Sequence, residues 1–112
     1  MGIFKSNKRP DINEGVKRFM NTADAVLLDV RTEEEYLMGH IPKSLNIPLR
    51  MIEDVEDTVE NKSTALYVYC RSGARSRQAV DMLEEMGYTN AVNIGGIIPA
   101  VVCISKVCRS AS

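Results

Sequence analysis

The chain has little of what several common architectures require. Its 112 residues include a single histidine and only three cysteines, Cys70, Cys103 and Cys108. An odd cysteine count argues against a full disulfide framework. With one histidine, and only Cys103 and Cys108 at a ligand-like spacing, a zinc site is not expected, and neither metal nor cofactor is called for. Reduced thiols suit a cytoplasmic setting. There is no basic excess: the formal net charge is −1. Nucleic-acid binding over the whole surface is therefore excluded. No apolar run reaches the length that crosses a bilayer, and the longest, Ile97 to Ile104, is broken by Pro99. The start lacks the apolar stretch of a secretory signal. Gly2 and Ser6 fit a loose myristoylation pattern but read as an ordinary polar lead-in, so no membrane partner is expected.

What is present is an ordinary globular composition, 45% hydrophobic and 26% charged, in one domain's length of chain. Residues 1–10 are polar and basic, a flexible lead-in. Asp11 precedes Glu14 by three, the spacing of a helix-opening capping box, and Val16, Phe19 and Met20 share one helical face. Ala25 to Leu28 is an unbroken apolar run ending at Asp29, the pattern of a strand covered on both faces. Thr32 and Glu35 form a second capping box, and the run Glu33 to Glu35 reads as a solvated helix start closed at Gly39. Pro42 makes a turn of His40 and Ile41. Ser44 to Leu49 reads as a strand, and Met51 to Val55 as a short helix. Ala65 to Tyr69 is the strongest strand signal. A helix follows with Ala79, Val80, Leu83 and Met86 on one face, ending at Gly87. Tyr88 to Ile94 holds a last strand, with Gly95 and Gly96 as a turn. Strands alternating with helices imply an α/β fold with a parallel sheet and helices on both faces.

Cys70 stands between the best strand and the best helix, followed by Arg71, Ser72, Gly73, Ala74, Arg75 and Ser76. Ligands of open α/β sheets bind beyond the carboxyl ends of the strands. A strand–loop–helix junction there aims backbone N–H groups into one small space. Loop amides, a helix N-terminus and the charges of Arg71 and Arg75 favour a thiolate, the form that attacks sulfur. Gly73 supplies a tight turn, and Ser76 can cap the helix or offer its hydroxyl to the anion. A free cysteine is more often a small buried hydrophobe, but the Arg, Ser and Gly that follow Cys70 shift the balance toward chemistry.

These segments, in order, resemble the rhodanese family. They are Leu28-Asp29-Val30-Arg31 with Glu35-Tyr36, Gly39-His40-Ile41-Pro42 with Ser44 to Pro48, Tyr69-Cys70 through Ser76, and Gly87-Tyr88 with Val92 to Ile97. The resemblance implies one domain over residues 11–98, with a five-stranded, mostly parallel sheet flanked by helices. It implies that Cys70 takes sulfane sulfur as a persulfide from a donor such as thiosulfate. Cyanide or a thiol, a protein thiol included, would be the acceptor. Residues 71 to 76 would bind the substrate. Asp29, Arg31 and His40 fall in the family's recurring segments and are read as structural. Related phosphatases use a loop one residue longer. Here Arg75 follows Cys70 as Cys-x4-Arg, which favours sulfur transfer over phosphate hydrolysis or arsenate reduction. A carrier or sensory module that holds sulfur without turnover is the alternative. Residues 99–112 depart from the family pattern, in which an aromatic residue usually follows. Cys103 and Cys108 there read as incidental thiols rather than a sulfur relay.

Overall fold

The structure, a computed structural model, describes residues 11–97. The elements run α1 Ile12–Met20, β1 Val26–Asp29, α2 Glu33–Met38 and β2 Ser44–Asn46. A 3₁₀ segment, Leu49–Asp54, leads into α3 Val55–Thr58, then β3 Leu66–Cys70, α4 Ala74–Glu85 and β4 Ala91–Gly96. The strands form one sheet in the order β2-β1-β3-β4, and every neighbouring pair is parallel. Among the described residues the sheet thus has four strands, not the expected five. The chain offered four extended runs, and the fifth strand rested on the resemblance alone.

Successive strand residues point to opposite faces. That alternation divides the interior into two cores. Leu28, Leu66, Val68 and Cys70 pack with Ile52, Val55, Ala79, Leu83 and Tyr88 on the side of α4 and α3. Leu27, Tyr67, Tyr69 and Ile94 pack with Ile12 and Val16 of α1 on the other. All five residues of β3 are buried, as befits an inner strand covered on both faces. Leu28, Leu66 and Leu83 are wholly buried, and each contributes roughly 1.5–3 kcal/mol.

Local signals set the ends of the helices. The Asp11 side chain accepts from Asn13 N–H at 3.0 Å and caps α1. Thr32 and Glu35 make the full reciprocal capping box on α2. α4 closes with Tyr88 N–H on the Leu83 carbonyl at 3.0 Å and Gly87 N–H on Glu84 at 3.0 Å, a Schellman pair. Ser76 departs from its expected role. It lies inside the first turn of α4, and the N-cap position belongs to Gly73. Gly95 and Gly96 also depart from expectation: they finish β4 instead of forming a turn after it. Among the described residues no helix is long and apolar enough to cross a membrane.

Candidate functional site

The parallel ladder carries β3 up to its last residue. The Cys70 carbonyl accepts from Ile97 N–H at 2.8 Å, so the strand does not fray before the loop begins. The chain then reverses at Gly73, whose φ of 98° lies in the left-handed region that glycine enters without strain. This reversal aims two backbone donors at one atom. Gly73 N–H reaches the Cys70 Sγ at 2.9 Å and Ser76 N–H at 3.3 Å, both at the N-terminal end of α4. The Ser76 hydroxyl lies 3.5 Å from the same sulfur. The two amides so arranged, with the positive end of a helix behind them, stabilise negative charge on the sulfur or on an atom bonded to it.

β4 supports the loop from below. A Cβ added at Gly96 would stand 2.3 Å from the Arg71 carbonyl oxygen and 2.7 Å from the Ser72 carbonyl carbon, so only a glycine lets the loop lie this close. The register between β3 and β4 slips by one residue: Val68 pairs with Asn93 but Tyr69 pairs with Gly95. Up to this bulge β4 alternates regularly, with Val92 and Ile94 on the α1 side and Asn93, opposite Val68, beneath the loop. Asn93 Oδ1 lies 2.6 Å from the Ser76 hydroxyl.

Of the residues expected at the site, Cys70, Gly73 and Ser76 converge. Arg71, Ser72 and Ala74 lie exposed on the loop. Arg75 is engaged elsewhere: its guanidinium makes a two-pronged ion pair with Glu35 of α2, at 2.8 and 3.0 Å. Glu35 is therefore more than a solvated helix start. The Arg75 bonds, with those from Thr32, hold its carboxyl at about 2 against the pull of partial burial. Arg75 is raised in turn by its bond to Glu35, with a further contribution from the nearby Cys70. The sequence hid this pair because 40 positions separate its members. Asn93 was equally unforeseen, although a polar residue set between Val92 and Ile94 is a signal, since even a half-buried amide needs partners.

Cys70 itself is 0% exposed. Any reagent in solution reaches it only when the loop or the side chains over it move. Cys103 and Cys108, like Gly2 and Ser6, lie outside the described residues.

Asp29 and Arg31 make a second polar centre, at the end of β1. The Asp29 carboxylate accepts from Arg31 N–H at 2.9 Å and from the guanidinium at 2.7 to 3.1 Å, and Arg31 also donates to the Gly39 carbonyl at 2.8 Å. Burial works to lower the Arg31 pKa, but the hydrogen bonds and charge of Asp29 outweigh it and hold the group above its ordinary value. Tyr69 is raised above the usual phenol range, first by burial and then by the Asp29 charge. Its hydroxyl accepts from Ile41 N–H and donates to Ser44 Oγ, each at 3.1 Å. His40 stacks on Tyr36 at 3.6 Å, with Nδ1 2.8 Å from the Tyr36 carbonyl.

The arrangement of strand, sulfur-facing amides and helix has relatives. Residues 13–100 match the family described as the rhodanese-like domain. The chain belongs to that family. Thiosulfate sulfurtransferase PspE of Escherichia coli is 39% identical over 71 residues, which are 62% of this chain and 68% of the relative. A sulfurtransferase of Allochromatium vinosum is 40% identical over 83 residues, 73% of this chain and 77% of the relative. Among solved structures, a rhodanese with anions from E. coli superposes with a TM-score of 0.62 at 40% identity, covering 64% of this chain and 86% of that one. Sulfur transfer is thus the activity named for these rhodanese relatives, and the present rhodanese-like domain carries their α/β fold.

Proposed function

We propose that the protein is a sulfurtransferase in which Cys70 carries the sulfur. The observation that carries this reading is the convergence of Gly73 N–H and Ser76 N–H on Cys70 Sγ at 2.9 and 3.3 Å. The sequence of steps conserves atoms and charge. The Cys70 thiolate attacks the sulfane sulfur of thiosulfate; the S–S bond of the donor breaks, and sulfite leaves with the electron pair. The product is a Cys70 persulfide anion, whose outer sulfur keeps the negative charge that the loop amides favour. Cyanide or a thiolate then attacks that outer sulfur and regenerates the thiolate. Cyanide leaves as thiocyanate, and a thiol acceptor leaves as its own persulfide.

No separate general base is required if the thiol enters the cycle ionised. Arg71, exposed and without an ion pair among the described residues, suits an anionic donor. Thiosulfate is the donor named for PspE, and it is the donor proposed for this chain.

Thiocyanate formation from thiosulfate and cyanide tests the proposal. Turnover is expected for the protein as it stands and none for Cys70→Ser; undiminished turnover by that variant would refute the assignment.

A second reading draws on the complete burial of Cys70. A covered sulfur suits a carrier that loads slowly and unloads to a protein thiol whose docking parts the loop. Persulfide formation with negligible transfer to cyanide, restored by an added thiol protein, would favour the carrier.

A further inference from the structure

Asn93 and Ser76 form a contact whose hydrogen-bond direction can be deduced. Asn93 Oδ1 accepts from Gly95 N–H at 2.9 Å, a backbone donor that cannot reverse its role. That bond fixes which end of the Asn93 amide is oxygen, an assignment otherwise open to a flip. The Ser76 hydroxyl at 2.6 Å from the same oxygen must therefore be the donor. A serine hydroxyl has one proton. Spent on Asn93, it is not available to Cys70, and the Ser76 oxygen presents lone pairs to the sulfur 3.5 Å away. The Gly73 carbonyl, 3.0 Å from the same hydroxyl, is the other competing acceptor.

We propose that Asn93 is a positioning residue for the sulfur site: it withholds the Ser76 hydroxyl proton from Cys70, leaving the Gly73 and Ser76 amides as the sulfur's donors. The inference rests on the reading of Cys70 as the sulfur-carrying atom and reverses the expected role of the Ser76 side chain. A lone pair turned toward the sulfur accepts from a thiol S–H and opposes an anion. Asn93 thereby sets how readily Cys70 ionises, acting from a neighbouring strand through one intervening hydroxyl. Its place opposite Val68, on the same face of the sheet as Cys70, brings it there.

The pH profile of Cys70 alkylation tests this, read by mass spectrometry of the Cys70 peptide so that other thiols do not contribute. With Asn93→Ala the hydroxyl is free to turn to the sulfur, because an ionised acceptor outcompetes the neutral Gly73 carbonyl. The profile should move to lower pH by about one unit, the tenfold expected of a hydrogen bond to a charged group. Ser76→Ala should leave the profile in place or move it to lower pH, and the double variant should match Ser76→Ala. A merely structural role for Asn93 would change how fast the loop opens, hence the rate at every pH, but not the midpoint. The other charged groups at this end of the sheet are the same in every variant. They are Arg71, Arg75 with its partner Glu35, and Asp29 with Arg31.

An unmoved Asn93→Ala profile, or a Ser76→Ala profile displaced to higher pH, would overturn the inference. If Asn93→Ala does not fold, the sign of the Ser76→Ala displacement decides alone. No sulfur donor enters these measurements. A failure to take sulfur from thiosulfate would thus defeat the functional reading separately, without disturbing the profile.

Discussion

Two adjacent strands end in polar centres built on opposite plans. At the end of β1, Asp29 and Arg31 satisfy one another: a wholly buried carboxylate takes four hydrogen bonds from a single arginine, whose remaining bond goes to a carbonyl. At the end of β3, the donors of the Cys70 loop converge on one sulfur, which returns little to them, because a thiol is a weak acceptor. The first centre is closed on itself, its two charges paired with each other. The second carries donors whose full value appears only when their target is charged. Proximity to the carboxyl edge of the sheet does not by itself separate a site from a brace; the balance of donors and acceptors does.

The comparison breaks most completely at the sulfur. Cys70→Ser should abolish sulfur uptake while leaving the fold intact, since serine fits the same cradle; far-ultraviolet circular dichroism beside a thiocyanate assay checks both. At the closed centre the effect should fall on stability. Asp29→Ala strands the Arg31 charge in a buried setting and should cost about 3–5 kcal/mol in denaturant unfolding. A loss under 1 kcal/mol would mean that water reaches the pair. Gly96→Ala lies between the two plans. The added methyl meets loop backbone that must shift, costing roughly 1–3 kcal/mol, and turnover should fall more than stability does.

The Glu35–Arg75 pair gives the smallest expected effect. The folded-state Glu35 carboxyl, at about 2, lies below its ordinary 4.5. Between those values the unfolded chain binds more protons than the folded one. The stability from this pair is therefore fully present above about pH 4.5 and is lost as pH falls toward 2. The side chains are 28% and 35% exposed, so solvent screening reduces the contribution to about 1 kcal/mol. Unfolding followed from pH 5 to pH 2 should show a smaller loss for Glu35→Gln than for the unaltered protein; parallel curves would dismiss the pair as a contributor.

What could be read from the sequence was what is local. The Thr32 capping box, the stop at Gly87, the buried β3 run and the loop after Cys70 all depend on residues a few positions apart, and all stand where they were expected. Glu35 shows the limit. Its bonds to Thr32 lie within one helical turn and were legible, whereas its bond to Arg75 depends on how α2 docks against α4. Asn93 reaches Ser76 because β4 docks beside β3 with Asn93 opposite Val68, a pairing of distant segments that the β4 sequence alone does not state. The expected turn at Gly95 and Gly96 failed for a related reason. Paired glycines usually mark turns, but here Gly95 takes a positive φ of 105° at the strand's end, and at Gly96 a neighbouring backbone passes 2.3 Å from where a Cβ would stand.

The central claim is that the loop amides hold a transferable sulfur on Cys70. Peptide mapping by mass spectrometry after incubation with thiosulfate addresses it directly. The account predicts a gain of one sulfur atom on the peptide containing Cys70, removed by cyanide. No gain, or a gain on Cys103 or Cys108 with Cys70 unmodified, would contradict it.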